Sequence, residues 1–207
     1  MSEAALERLA AQRVVPVLRS ADTQDAIDTA RACARAGMSV IELTHTTPDV
    51  EQAVSALADE DVVVGVGTIT DAEQVRAAIA AGARFVVSYT LPAGMVQAAV
   101  ELGVPAIPGA LTPTEVAACL RAGAAAVKLF PARGLSPGFL RDVRAVMPEL
   151  RAFVSGGLAA SREEIQPWLR AGAIAVGLGS GLGTVAKVGT DEVERRARLA
   201  LAAAGAS

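Results

Sequence analysis

The sequence predicts a compact, single-domain (β/α)8 (TIM) barrel over residues 1–207, and two observations carry that reading. The first is a recurring junction in which a helical stretch ends in a small residue plus glycine and a short β-branched run follows. The second is the near-constant spacing of the apolar runs. Taking Val15, Ile41, Val64, Val86, Ile107, Val127, Phe153 and Val176 as strand centres, successive intervals are 26, 23, 22, 21, 20, 26 and 23 residues. That period fits one strand and one helix, repeated eight times.

The junctions read Ala36-Gly37 before Ser39–Leu43, Ala81-Gly82 before Phe85–Ser88, and Leu102-Gly103 before Pro105–Pro108. They continue with Ala122-Gly123 before Ala126–Leu129 and Ala171-Gly172 before Ile174–Leu178. Glycine is expected there because a helix commonly ends on a left-handed residue. The remaining strands are Val14–Leu18, Val62–Val66 and Ala152–Ser155. Helix starts are expected at Thr70, Thr112 and Ser161, each with a glutamate three residues on in capping-box spacing. Pro113 fits the first helical position, where its missing N–H costs nothing. A short N-terminal helix and a C-terminal helix, Asp191–Ala204 with an Asp191/Glu194 cap, complete the reading. Short strands apolar on both faces, alternating with amphipathic helices, form a parallel sheet. An open doubly wound sheet is the alternative. Its fingerprint is missing, since Gly177–Gly183 has the wrong glycine spacing and Gly65-Val66-Gly67 lacks the third glycine.

Composition narrows the function. With 52% hydrophobic residues, 20% charged residues and a net charge of −3, the chain is too apolar for disorder. It is also too weakly charged to grip nucleic acid or an anionic membrane. Four Phe, Trp168 and Tyr89 are too few for a base-stacking platform. One histidine and two distant cysteines, Cys33 and Cys119, leave no set of ligands for a structural metal and suggest reduced thiols. No cofactor is implied. Without a signal-like leader or a long apolar run, a cytoplasmic location is expected.

A barrel carries its site at the C-terminal ends of its strands. There stand Arg19, Glu42 with Thr44 and His45, Thr68, Ser88-Tyr89, Lys128 with Phe130, Ser155-Gly156-Gly157, and Gly179-Ser180. Of the 19 Lys and Arg residues only Lys128 and Lys187 are lysines, and Lys128 lies inside an apolar strand. An amine can lose its proton and attack a carbonyl; a guanidinium cannot. At a pKa of about 10.4 only about one amine in a few thousand is neutral at pH 7, and apolar surroundings recover much of that factor. Phe130, on the same strand face, can help form an apolar wall. Lys128 is therefore a candidate Schiff-base nucleophile, with a plain ion pair or a phosphate contact as the alternative. Glu42 interrupts an apolar strand and is either its general acid/base or a salt-bridge partner of Lys128 or Arg19.

The glycine loops Gly156-Gly157 and Gly179-Ser180 follow strands seven and eight, the customary phosphate position of such barrels. Glycine lets backbone N–H groups approach an anion closely, and Ser180 adds a hydroxyl. Thr68 can hydrogen-bond a substrate carboxylate or hydroxyl, or merely lead into the next turn. His45, alone, is a substrate contact or an ordinary loop residue.

Together these residues resemble the 2-keto-3-deoxy-6-phosphogluconate (KDPG) and 4-hydroxy-2-oxoglutarate (KHG) aldolase family, from Val14 to about Leu182. The most specific piece is Val127-Lys128-Leu129-Phe130-Pro131-Ala132, similar to the family's K-x-F-P-[AS] motif. Supporting pieces are Val40–Thr44, Gly65–Thr68, Ile107–Gly109, Ser155–Gly157 and Gly177–Ser180. The resemblance implies a metal-free class I aldolase that cleaves a phosphorylated keto acid to pyruvate and glyceraldehyde 3-phosphate, commonly as a homotrimer. It implies Lys128 as Schiff-base lysine, Glu42 as proton carrier, Thr68 at the pyruvate, and Gly156, Gly157, Gly179 and Ser180 at the phosphate.

Two positions depart from the pattern. Thr46 stands where gluconate-type members carry arginine, and Tyr89 stands where proline is usual. Arg19 resembles the arginine of the phosphogalactonate branch and can hold the carboxylate instead. The sugar acid is therefore open between the gluconate and galactonate types, with 4-hydroxy-2-oxoglutarate as a substrate without phosphate. Outside the class stand a phosphate-binding isomerase and a non-catalytic binding module.

Overall fold

The computed structural model describes residues 2–205. The chain runs α1 (Ser2–Gln12), β1 (Val14–Leu18), α2 (Thr23–Arg35), β2 (Val40–Thr44), α3 (Val50–Ala56), β3 (Val63–Gly67), α4 (Ala72–Ala80), β4 (Phe85–Val87), α5 (Met95–Glu101) and β5 (Ala106–Ile107). It continues with β6 (Gly109–Ala110), α6 (Pro113–Arg121), β7 (Val127–Leu129), a 3-10 turn (Ala132–Gly134), α7 (Pro137–Val146), β8 (Ala152–Ser155), α8 (Arg162–Arg170), β9 (Ala173–Leu178), α9 (Val185–Val188) and α10 (Thr190–Ala204).

All strand pairs are parallel, in the order β5-β4-β3-β2-β1-β9-β8-β7-β6. The two end strands are halves of one. β5 pairs with β4, β6 pairs with β7, and only Pro108 lies between them. Proline has no N–H for the ladder, so the strand changes partner there. The ring thus has eight places, as expected, and it is a (β/α)8 barrel. Gly109 makes the change of partner possible: its N–H donates to Thr90 O at 2.7 Å, and a Cβ there would overlap the Tyr89 backbone.

The glycine junctions behave as their spacing predicts. Gly37, Gly82, Gly103, Gly123 and Gly172 all have positive φ, between 71° and 113°. At four of them the next N–H reaches back five residues: Met38 to Cys33 O, Ala83 to Ala78 O, Val104 to Ala99 O and Ala124 to Cys119 O. That pattern satisfies the last helical carbonyls as the chain turns into the next strand.

The N-terminal caps agree less well with expectation. Thr112 and Glu115 form the predicted capping box, with Pro113 at the first helical position. At α4 the cap is Asp71 rather than Thr70. Its carboxylate accepts from Gln74 N, and the Gln74 side chain reaches back to Thr70 N and Oγ1. Ser161 flanks α8 but makes no side-chain cap bond, and Glu164 instead accepts from Ala159 N at 2.8 Å. At α10 the helix begins at Thr190 after Gly189, so Asp191 lies inside it and caps nothing. Glu194 is taken up by Arg35 at 2.8 Å and Arg198 at 3.2 Å.

Strand alternation divides the apolar residues into two layers. Outward residues such as Ile41, Leu43, Val64, Val66 and Leu129 pack under the helices. Inward residues Val40, Val63, Phe85, Ile107 and Phe153 fill the barrel's lower half together with Leu6 and Leu9 of α1. α1 therefore plugs the N-terminal mouth. Gln12, at its end, is buried and fully engaged. Its amide donates to Val14 O and Val40 O, and its oxygen accepts from Ser39 N and Val40 N. α10 closes the outside against α2 and α8 through Val193, Ala197, Ala200 and Ala204, one stripe at helical spacing.

Candidate active site

Alternation along β2 turns Glu42 inward above Val40, and β7 turns Lys128 inward from the opposite wall. Both are buried, with side-chain exposures of 0% for Glu42 and 6% for Lys128. Lys128 Nζ donates to Glu42 Oε1 at 3.3 Å. Glu42 Oε2 is buried and has no hydrogen-bond partner among the described residues. An unmet buried carboxylate oxygen is costly in a finished core, so its persistence points to a working site.

Small residues hold this pair in place. Gly67, opposite Thr44 in the ladder, leaves the space that the Glu42 carboxylate fills; a Cβ there would overlap it. Gly65 does the same for the Phe85 ring, which forms the floor below. Lys128 Nζ lies 5.7 Å from the centroids of both Phe130 and Phe153. Phe130 was legible as a wall. Phe153 was not, because a phenylalanine at a strand centre reads as ordinary core. The signal available was parity, since Phe153 lies opposite Lys128 in register.

The remaining candidates ring the mouth above this pair. Arg19 is exposed just beyond β1 and makes no ion pair among the described residues, so Glu42 pairs with Lys128 and not with Arg19. Thr44 Oγ1 donates to Leu18 O at 3.0 Å and lies 2.9 Å from Thr46 Oγ1, which ties the end of β1 to the loop after β2. His45 sits with Nε2 3.6 Å from Glu51 Oε1, in the first turn of α3. Thr68 has φ +65°, a left-handed conformation rare for a β-branched residue and common at functional sites. Ser88 Oγ donates to Ile69 O at 2.6 Å, while Tyr89 is exposed beside a cleft of about 190 Å³ that Phe130 also lines.

The two glycine loops come together. Gly156 and Gly157 have φ of +108° and +87°, and Gly156 lies against the Phe130 ring. Gly181, just past Gly179 and Ser180, lies against Leu158 and Ala160, so the loops after β8 and β9 touch. Gly179 and Ser180 are exposed. Among the described residues, no three His, Cys, Asp or Glu converge as metal ligands.

A family model described as KDPG and KHG aldolase matches residues 6–199. The chain belongs to the KDPG/KHG aldolase family. It is an enzyme, a carbon–carbon lyase. It is 31% identical over 173 residues to a 2-dehydro-3-deoxy-6-phosphogalactonate aldolase of Escherichia coli, covering 82% of this chain and 83% of that one. It is 40% identical over 130 residues to a 2-dehydro-3-deoxy-phosphogluconate aldolase of Treponema pallidum, covering 62% and 60%. The solved 2-keto-3-deoxy-6-phospho-gluconate aldolase of Zymomonas mobilis superposes with a TM-score of 0.86 at 28% identity, covering 98% of this chain and 97% of that one. No helix among the described residues is long and apolar enough to cross a membrane.

Proposed function

We propose that this single-domain protein is a cytoplasmic class I aldolase that cleaves a 2-keto-3-deoxy-6-phospho sugar acid to pyruvate and glyceraldehyde 3-phosphate. The observation that carries the reading is the buried Lys128–Glu42 contact at 3.3 Å with the second carboxylate oxygen left open. In this mechanism the unprotonated Lys128 amine adds to the C2 carbonyl, and water leaves to give an iminium ion. Loss of the C4 hydroxyl proton then breaks the C3–C4 bond. The aldehyde departs, and the electron pair passes into the iminium to form an enamine. A proton returns to C3, and hydrolysis frees pyruvate and the amine.

Glu42, against Nζ and with an open oxygen, is placed to move these protons. Phe130 and Phe153 flank the amine and exclude water around it. We assign Arg19 and Thr68 to the carboxylate end, and Gly156, Gly157, Gly179 and Ser180 to the phosphate.

The gluconate and galactonate substrates differ in configuration at C4. A galactonate preference is favoured by one observation: Thr46 is occupied with Thr44 and carries no charge, whereas Arg19 is exposed and unpaired. The assembly we expect is a homotrimer, which sedimentation equilibrium tests. The chemistry is tested by borohydride trapping with pyruvate. A pyruvate-sized adduct on the peptide containing Lys128, absent in Lys128→Arg, supports the reading; folded protein with no adduct overturns it.

A further inference from the structure

We propose that Arg133 is a phosphate-gripping residue that sets the preference of this site for phosphorylated over unphosphorylated keto acids. The proposal rests on the aldolase reading above and deepens it. Arg133 sits in the 3-10 turn Ala132–Gly134, five residues past Lys128, where the chain leaves β7 at the mouth of the barrel. Two bonds fix it to the diglycine loop after β8. Its backbone N–H donates to Gly156 O at 3.2 Å, and its Nε donates to Gly157 O at 3.3 Å.

The stem of Arg133 lies flat on Gly157. A Cβ at Gly157 would overlap Arg133 Cγ, Cδ and Nε, so glycine is required for the arginine to lie there at all. The positive φ of Gly157, +87°, makes the same demand. That Nε bond is the only side-chain hydrogen bond Arg133 makes among the described residues, and it forms no ion pair there. The outer edge of the guanidinium, with its remaining N–H donors, is left free. A cation anchored by one edge, exposed on the other, and bound to the loop beside Gly181 is built to meet an anion with two parallel oxygens. A phosphate has that geometry. A bare hydroxymethyl end does not need it.

The test compares wild type with Arg133→Leu and Arg133→Lys in three assays. Pyruvate trapping by borohydride is expected to be unchanged in both variants, since Arg133 does not touch Lys128. With the phosphorylated aldol, kcat/KM in Arg133→Leu is expected to fall about 10- to 100-fold, mostly through KM. Arg133→Lys, a charge without the fork, recovers part of it. With the same sugar acid lacking phosphate, whose end is a neutral hydroxymethyl, kcat/KM is expected to stay within about twofold.

Binding of glycerol 3-phosphate, measured by calorimetry, supplies a readout independent of turnover and is expected to weaken by a similar factor in Arg133→Leu. An unchanged affinity for glycerol 3-phosphate, or an equal loss on phosphorylated and unphosphorylated substrates, overturns the role of Arg133. Absence of a pyruvate adduct in wild type overturns the aldolase reading instead, and the glycerol 3-phosphate comparison still decides the arginine.

Discussion

The two ends of the barrel are built from the same strands and differ in what they leave undone. Inside the N-terminal mouth the packing is closed. Leu6 and Leu9 fill the mouth against Val40 and Val63, and the one buried polar side chain there, Gln12, makes four bonds to backbone groups of β1, β2 and Ser39. At the C-terminal end a carboxylate oxygen is buried without a partner, a lysine is pressed between two rings, and a threonine holds a left-handed φ. Two residues up the same strands, stability gives way to reactivity. The unmet groups at the upper end are offset by the apolar packing of the lower mouth and of the layer under the helices.

Three substitutions at the upper end test whether its tension is functional. Lys128→Arg is expected to remove turnover by at least about 10⁴-fold and to abolish the pyruvate adduct, because a guanidinium cannot form an iminium. Glu42→Gln keeps the shape of the side chain and loses the proton carrier. Its kcat is expected to fall by about 10²- to 10⁴-fold while some adduct still forms. Gly67→Ala puts a methyl where the carboxylate lies, so Glu42 must shift. A displacement of about 1 Å is expected to lower kcat by about 10²-fold, with the adduct retained. A Gly67→Ala enzyme with normal kcat would show that the position of Glu42 does not matter.

The two ends were not equally legible in the sequence. Scarcity marked the proposed reactive pair, since a lysine in an apolar strand stands out when nearly every other cation is arginine. The same abundance hid Arg133, because nothing in sequence separates an arginine lying on a diglycine loop from one in solvent. The ring itself was legible through Gly37, Gly82, Gly103, Gly123 and Gly172, because a left-handed residue must end each helix before the next strand. The break at Pro108 was not, since a strand's change of neighbour is a tertiary event. Gln12 was also missed. Three of its four bonds reach Ser39 and Val40, 27 and 28 residues away, and only the folded chain brings them together.

Gln12→Ala probes the finished end. It strands buried backbone groups at the N-terminal starts of β1 and β2, and a loss of about 3 kcal/mol is expected. That corresponds to a fall in Tm of about 6–12 °C for a chain of this size. Turnover in the folded fraction is expected to be normal. If kcat falls in step with stability, the division of labour between the two ends is wrong.

The smallest effect expected is a difference in labelling between the two thiols, which lie in the last turns of helices on opposite sides of the barrel. Cys33 lies near the C-terminus of α2, where the chain turns into β2 beside Gln12; Cys119 donates to Gly109 O, at the break between β5 and β6. Burial pushes the Cys33 thiol up to about 12. Burial, aided by the Glu115 charge, pushes Cys119 up to about 11. Burial favours the neutral thiol, so the folded chain keeps protons that the unfolded chain releases near pH 9. That contribution to stability is full below pH 9 and is lost as pH rises toward 12. At pH 8 both thiols should therefore resist iodoacetamide until the chain opens. If the N-terminal end opens locally, Gln12→Ala speeds Cys33, whose helix leads into the Ser39–Val40 segment that Gln12 holds, far more than Cys119 across the ring. Equal acceleration of the two thiols in the variant would mean that the barrel opens as one unit, and that the contrast between its ends is chemical rather than a difference in local stability.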